Sequence, residues 1–311
     1  MEISLAQIPF LYDDANQTLY GDLILPSAKE ELMKVNKNDG FFVCIEARVA
    51  GEIVGLALAR FYFENRGAHL YSLFVKETQR CQGIGLALFK YLEETLVKNE
   101  KATVIAFDFL DELLYAPAIE KILAHQQWST PSVYLMRCYF DKTFNPDWWT
   151  RPARLPEGME FFLWKDLTLQ DRNAVEAMKN NNEFLSPLWP FHEEERIDFF
   201  TSVGLRQHHQ IVGWNITHRV DPVTLRFSIL FIRKEFQFTG LSIQLLVESL
   251  RLMRVVLDEG DPAILAYLEL RLKHITPSWL RFVNRRLVPH TSKIEYKKWA
   301  IKFYLENILK T

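Results

Sequence analysis

Between residues 41 and 75, apolar, β-branched and aromatic side chains fall into three runs, 41–48, 52–63 and 68–75, separated by Ala50-Gly51 and by 64–67. Runs of this composition with turn residues between them predict three successive antiparallel strands. The period then changes. Ile84, Leu88, Tyr91, Leu92, Thr95 and Leu96 recur at helical spacing while Lys90, Glu93, Glu94 and Lys98 take the other side. This predicts an amphipathic helix over 82–99 whose apolar stripe packs on the sheet. A strand over 103–109, a helix over 115–126 and a strand over 132–140 follow. Ahead of them, Ser27 with Glu30 makes a capping-box pattern opening a short helix that reaches Val35.

From 141 to 158 the pattern breaks, punctuated by Pro146, Pro152, Pro156 and Gly158, and a domain boundary is expected that divides the chain into 1–150 and 151–311. Trp148 and Trp149 read as part of a packed-down linker. Beyond it come strand 159–164, helix 169–179 behind Thr168 as its cap, a second helix 193–200, and strands 203–209, 211–220 and 224–232. Helix 240–257, strand 263–270, helix 278–287 and strand 293–303 complete the series. The order of the first stretch is thus repeated. Without a gap, 72–85 falls on 229–242, Ser72 on Ile229 and Gly83 on Gly240, a constant offset of 157 in a chain of 311. An offset near half the length implies duplication of a whole domain and excludes short solenoid repeats. The expected fold class is α+β (mixed α/β), with two tandem domains, each a mixed, mostly antiparallel sheet flanked by helices.

Composition supports two filled cores, with 49% hydrophobic and 14% aromatic residues. Lys and Arg total 37 against 39 for Asp and Glu, so no polyanion-binding surface is indicated and nucleic acid is not an expected partner. Cys44, Cys81 and Cys138 lie far apart without metal-ligand spacing, so neither a disulfide framework nor a metal site is expected. The start of the chain lacks a signal-peptide pattern, and no apolar run approaches the ~18 residues of a membrane span. A cytoplasmic location without membrane partners is the expectation.

The chemistry concentrates where the third strand ends at Val75 and Arg80-Cys81-Gln82-Gly83-Ile84-Gly85-Leu86-Ala87 leads into the helix. A helix start presents unpaired N–H groups and the positive end of the dipole, and glycine lets an anion approach them. Arg80 adds a nearby charge. A preceding series of antiparallel strands without a βαβ unit, and the lack of a Gly-Lys-Ser or Gly-Lys-Thr ending, argue against a dinucleotide fingerprint and a nucleoside-triphosphate loop.

The stretch resembles the acetyl-CoA signature of the GNAT (GCN5-related N-acetyltransferase) superfamily, Gln/Arg-x-x-Gly-x-Gly/Ala, with Val75 at its apolar strand position. The order of elements from 41 to 140 is similar to the family's mixed sheet. This resemblance implies an acyl-CoA-binding domain at 1–150 whose fourth strand splays from the fifth, with acetyl-CoA as donor substrate. Cofactor contacts would come from Leu73, Phe74, Val75 and the residues Arg80 to Ala87. In the second stretch Ile232, Gln237 and Gly240 match, but Ser242 replaces the final small residue, so 151–311 reads as a partly degenerate GNAT-like domain.

What the family resemblance implies mechanistically is direct attack of an amine on the thioester in a ternary complex. A backbone N–H near 73–75 would steady the oxyanion, and most of the rate would come from positioning and electrostatics. The acceptor would be a small-molecule or peptide amine. The family's base position, on the fourth strand, is His69 here, and a free imidazole titrates near about 6.5, suited to taking a proton at neutral pH. Tyr71 lies on the same side of the strand. The tyrosine that many members use to protonate the thiolate is replaced by Leu123, with Val283 at the second site; Tyr115, Tyr134 and His125 are nearby. Arg226 matches His69 in the second copy and cannot act as a base. His208 and His209, as adjacent strand residues, would face opposite ways, and Glu193-Glu194-Glu195 would cap a helix. Two other readings stay open: an acyl-CoA sensor without turnover, or catalysis in the second domain with a structural cofactor in the first.

Overall fold

The computed structural model describes residues 2–10, 18–25, 28, 29, 32, 38–146, 148, 154–258, 260, 261, 263 and 265–308. They form two compact units. The first comprises 1–134 with 296–311, and the second 135–295. Each is built on a six-stranded sheet. In the first unit the order is β1 (Ile3–Ile8), β2 (Gly40–Val49), β3 (Glu52–Tyr62), β4 (Gly67–Val75), β5 (Val104–Leu110) and β12 (Lys293–Phe303). In the second it is β7 (Met159–Leu163), β8 (Val203–Gln207), β9 (Gln210–Asp221), β10 (Thr224–Ile232), β11 (Leu265–Arg271) and β6 (Ser132–Asp141). Within each sheet the pairs β4–β5 and β10–β11 run parallel; the other described pairings are antiparallel. This is the mixed, mostly antiparallel architecture expected from the pattern.

Each unit takes its last strand from the other stretch of sequence. Strand β12, from the end of the chain, pairs with β5 from Lys297↔Leu110 to Phe303↔Val104, while β6 pairs with β11 from Leu135↔Arg271 to Asp141↔Leu265. Side chains fasten β12 in place: Lys302 and the Tyr304 hydroxyl donate to Glu93 at 2.5 and 2.6 Å, and Lys298 bridges Asp111 and Glu120. Asn307 caps the carbonyls of Val97 and Ala102. On β6, Arg137 pairs with Glu269 at 2.9 Å.

The helix over 82–99 becomes α1 (Ile84–Glu94), continued by a wider turn at Thr95–Asn99. Its Ile84, Leu88, Phe89 and Leu92 bury against Val43, Ile45, Ala57 and Ala59, sharing that face with α2 (Ala116–His125). In the second unit α3 (Leu169–Asn180) starts at a complete Thr168–Asp171 capping box, and α4 (Leu241–Asp258) packs Leu241 and Leu245 on Leu205 and Val212. Helix α5 (Pro277–Phe282) carries a Thr276 cap.

Three points differ from the sequence pattern, and the packed-down reading of Trp148 agrees with the structure. Strand β1 is additional: its six residues are too short a run to identify alone, and its antiparallel edge pairing with β2 supplies the order. The helix over 193–200 is a single tight turn at Glu194–Arg196: Glu194 is drawn to Arg172 at 2.7 Å and Glu193, in the left-handed region at φ 50°, to Arg226 at 2.7 Å. His208 and His209 are turn residues between β8 and β9, both with positive φ, as a two-residue hairpin turn requires. Trp148 is a packing residue whose indole N–H donates to the Arg286 carbonyl. Trp149 and most of the Ser27–Glu30 helix lie outside the described residues.

A glycine under each helix sets its distance from the sheet. A Cβ on Gly55 would sit 2.9 Å from Leu88 Cδ1 and from the Phe74 carbonyl oxygen; on Gly213 it would meet Ile232 Cδ1 at 2.7 Å and Leu245 Cδ1 at 3.1 Å. Leu88 and Leu245 are themselves duplicates under the 157-residue offset. Gly55→Val is expected to destabilise the protein by about 1–3 kcal/mol through overpacking, visible as a lower urea midpoint. The strand exchange predicts that a fragment 1–150, lacking β12, shows no cooperative thermal transition by circular dichroism, and that adding a peptide spanning 293–308 restores one.

Candidate functional site

The feature that shapes the site is where β4 and β5 stop pairing. Their parallel register runs from Gly67↔Val104 to Leu70↔Phe107 and ends there, just as a bulge at Tyr71 shifts β4 against β3. Beyond it β4 stays paired with β3 alone. The Lys76 N–H donates to Val54 on β3, so by strand alternation the N–H groups of Leu73 and Val75 point into the opening between β4 and β5. These are the groups expected to face a bound acyl chain.

Past Val75 comes a tight turn at Glu77–Gln79, then Cys81 at φ 60° and Gly83 at φ 81°, and α1 begins at Ile84. Gly83 is required by its left-handed backbone, and a Cβ there would point into open space. No side chain caps this helix start, so its first N–H groups face the loop's exterior. A Cβ on Gly85 would lie in ordinary contact distance of Ile122 Cδ1 and Val75 Cγ2, so a small side chain fits there. Arg80 buttresses the loop: its Nε donates to the Val75 carbonyl at 3.0 Å, and its guanidinium lies over the rings of Phe74 and Tyr115. Gln82 and Cys81 are exposed, Ile84 is buried, and Leu86 and Ala87 are half-buried.

His69 and Tyr71 do come together, with ring centroids 4.9 Å apart. The Tyr71 and Tyr62 hydroxyls are hydrogen-bonded at 2.9 Å. The partner that sequence reasoning missed is Asp108 on β5, whose Oδ1 lies 2.6 Å from His69 Nε2. The Tyr134 hydroxyl donates to its Oδ2 at 3.3 Å, and Lys297 Nζ is 3.6 Å away. An acidic residue in an otherwise apolar strand run, Ile-Ala-Phe-Asp-Phe, was the available signal. Leu123 is a fully buried core residue; the tyrosine brought to the loop is Tyr115, at the start of α2. Burial raises its hydroxyl's pKa, partly offset by Arg80.

The second unit repeats the backbone and changes the chemistry. Phe238 at φ 66° and Gly240 at φ 86° reproduce Cys81 and Gly83, and β10–β11 pairing also ends before a bulge, at Ser228. The position of His69 holds Arg226, whose guanidinium donates to Ser228 at 2.7 Å and to Glu193. His218, cross-strand from Arg226, is engaged through both ring nitrogens, by Ser228 and by the His192 carbonyl. Burial lowers its pKa. By register Glu269 matches Asp108, and it is taken by Arg137. Among the described residues no group of three or more His, Cys, Asp or Glu is placed to hold a metal, and no helix is long and apolar enough to cross a membrane.

Comparison with known proteins matches this geometry. The model of the acetyltransferase (GNAT) family matches residues 8–112. Among solved structures, the chain is similar to a tandem GNAT protein from the clavulanic acid biosynthesis pathway, with TM-score 0.68 and 14% identity over 97% of this chain and 98% of that one. It is also similar to a GCN5-related N-acetyltransferase from Sphaerobacter thermophilus, with TM-score 0.62 and 13% identity over 96% and 95% of the two chains. A third similarity, TM-score 0.63 at 15% identity, is to a GCN5-related glucosamine N-acetyltransferase region in a fungal multi-domain GH3 β-N-acetylglucosaminidase; 97% of this chain covers 38% of that one. No curated protein matches the sequence. Residues 8–112 thus match the GNAT family model, and the chain as a whole has the fold of tandem GNAT proteins.

Asp108 also sets a pH dependence. Burial pushes its carboxyl up, but the His69 hydrogen bond and charge, Lys297 and the Tyr134 hydroxyl outweigh this, and its pKa lies below the usual carboxylate value. A depressed folded-state value contributes stability above the unfolded value of about 3.9, lost as pH falls through the folded one. Asp108→Asn is therefore expected to be less stable than wild type above about pH 5, with the gap closing below about pH 4, as read by urea unfolding across pH.

Proposed function

We propose that this protein transfers an acetyl or related acyl group from acyl-CoA to a primary amine, with the donor held by the 1–150 stretch. The observation that carries this reading is the junction of an opened β4–β5 pair with an uncapped, glycine-led helix start. The opening suits a pantetheine arm, and the helix start suits the pyrophosphate at its end. No step needs a metal in this reading.

In the reaction, the amine gives up a proton to His69 and its nitrogen attacks the thioester carbonyl. The Leu73 or Val75 N–H stabilises the oxyanion, the C–S bond breaks, and a proton ends on the departing thiolate. Tyr71 shapes the approach of the acceptor. Tyr115 is the tyrosine closest in kind to a thiolate acid. The 151–311 stretch serves in this reading as a degenerate copy, because Arg226 replaces the base and is tied to Glu193. The cytoplasm is the proposed location.

Calorimetric titration with acetyl-CoA tests the donor site. Wild type and Gly83→Ala, which carries the backbone strain without charge, are expected to bind one equivalent. Gly83→Glu, placing a carboxylate in the proposed pyrophosphate position, is expected to abolish binding, and Gly240→Glu to leave it intact. Binding that survives Gly83→Glu and disappears in Gly240→Glu would move the donor to the second loop. Absence of binding by wild type would sink the acyl-CoA reading.

A further inference from the structure

We propose that Asp108 is a positioning residue that fixes the tautomer and orientation of His69, a role that rests on the acyl-transfer reading above. The argument begins with who holds the carboxylate. Oδ2 is occupied by the Tyr134 hydroxyl from one side and by Lys297 Nζ from β12 on the other. Oδ1 is left for His69 Nε2, at 2.6 Å. A carboxylate accepts, so Nε2 carries the proton. The lone pair of the neutral ring is therefore on Nδ1, the one nitrogen able to take a proton from the acceptor amine.

Geometry fixes the ring from every packed element. The Tyr71 ring on β4 lies tilted against it with centroids 4.9 Å apart; Arg60 lies directly across on β3, paired in turn with Asp39; the Tyr62 hydroxyl engages Tyr71. Asp108 faces it from β5, and Tyr134 and Lys297 approach behind that carboxylate. When the amine proton moves to Nδ1, the ring becomes an imidazolium hydrogen-bonded to a carboxylate, which stabilises the charge without Asp108 itself accepting the proton. The N–H bond of the amine breaks, the Nδ1–H bond forms, and the freed electron pair makes the new N–C bond to the acyl carbon.

The duplicated unit supplies an internal contrast. It keeps a carboxylate at the same register, Glu269, but with Arg226 in place of the histidine that carboxylate serves Arg137 instead. In the first unit the residue that completes the pair, Lys297, arrives on the exchanged strand.

Two measurements decide the matter. Nitrogen-15 NMR of the imidazoles, with His69→Gln to assign the resonance, is expected to show the His69 proton on Nε2 in wild type and a mixture of tautomers in Asp108→Asn. A wild-type ring protonated on Nδ1 would overturn the proposal, whatever the enzyme's substrate. Steady-state kinetics on an amine that wild type acetylates is expected to show kcat down by about 100-fold or more in Asp108→Asn, with the acetyl-CoA KM within about twofold. Asp108→Glu should recover part of that loss, which a packing defect would not. An Asp108→Asn enzyme with wild-type kcat would also overturn it. Failure of the acyl-transfer reading shows separately, as wild type without turnover while the tautomer result stands.

Discussion

The structure depends on the early end of the β4–β5 ladder. Four parallel pairs hold the strands together, and at Tyr71 a bulge turns β4 away, so that the N–H groups of the next residues lose their neighbour. An unpaired stretch in the middle of a sheet is costly unless something else takes the hydrogen bonds. Here the opened strand leads through a short loop to a helix N-terminus with no side-chain cap. His69, in the paired stretch just before the bulge, meets Asp108, and the Tyr71 ring lies beside it.

Duplication makes the separate contributions visible. Both units retain the bulge, the parallel pairing that stops short, two left-handed residues in the loop, and the glycine beneath the following helix. Those features belong to backbone geometry and survive the replacement of nearly every side chain in the loop. What differs is charge. The first unit pairs a histidine with a carboxylate; the second fills the same place with Arg226, Glu193, Ser228 and His218, each engaged with a neighbour. A network in which every buried group is satisfied rigidifies its surroundings and leaves no group poised to exchange a proton.

The exchanged strands tie the two stretches of sequence into each other's units. Because Lys297 and Trp299 reach the Asp108 strand on β12, the first unit's site is finished only when the end of the chain is in place. Cooperative folding of the two stretches is the natural consequence, and the ion pairs of Lys298 and Lys302 with α2, α1 and the loop after β5 set which sheet β12 joins.

Much of this was written in local pattern. Alternating runs gave β2, β3, β4 and β10 nearly to the residue, helical spacing gave α1 and α4, and Gly83 and Gly240 marked the loops, because periodicity and left-handed turns are properties of neighbouring residues. The helix over 193–200 failed for the converse reason: Glu193 and Glu194 are held by arginines on other elements, which a local pattern does not contain. Likewise, alternation identifies β6 and β12 as strands but is equally satisfied beside either sheet. Their exchange, and the meeting of His69 with Asp108, Tyr134 and Lys297, were decided by tertiary structure alone, since cross-strand partners are chosen by register and charge between segments distant in sequence.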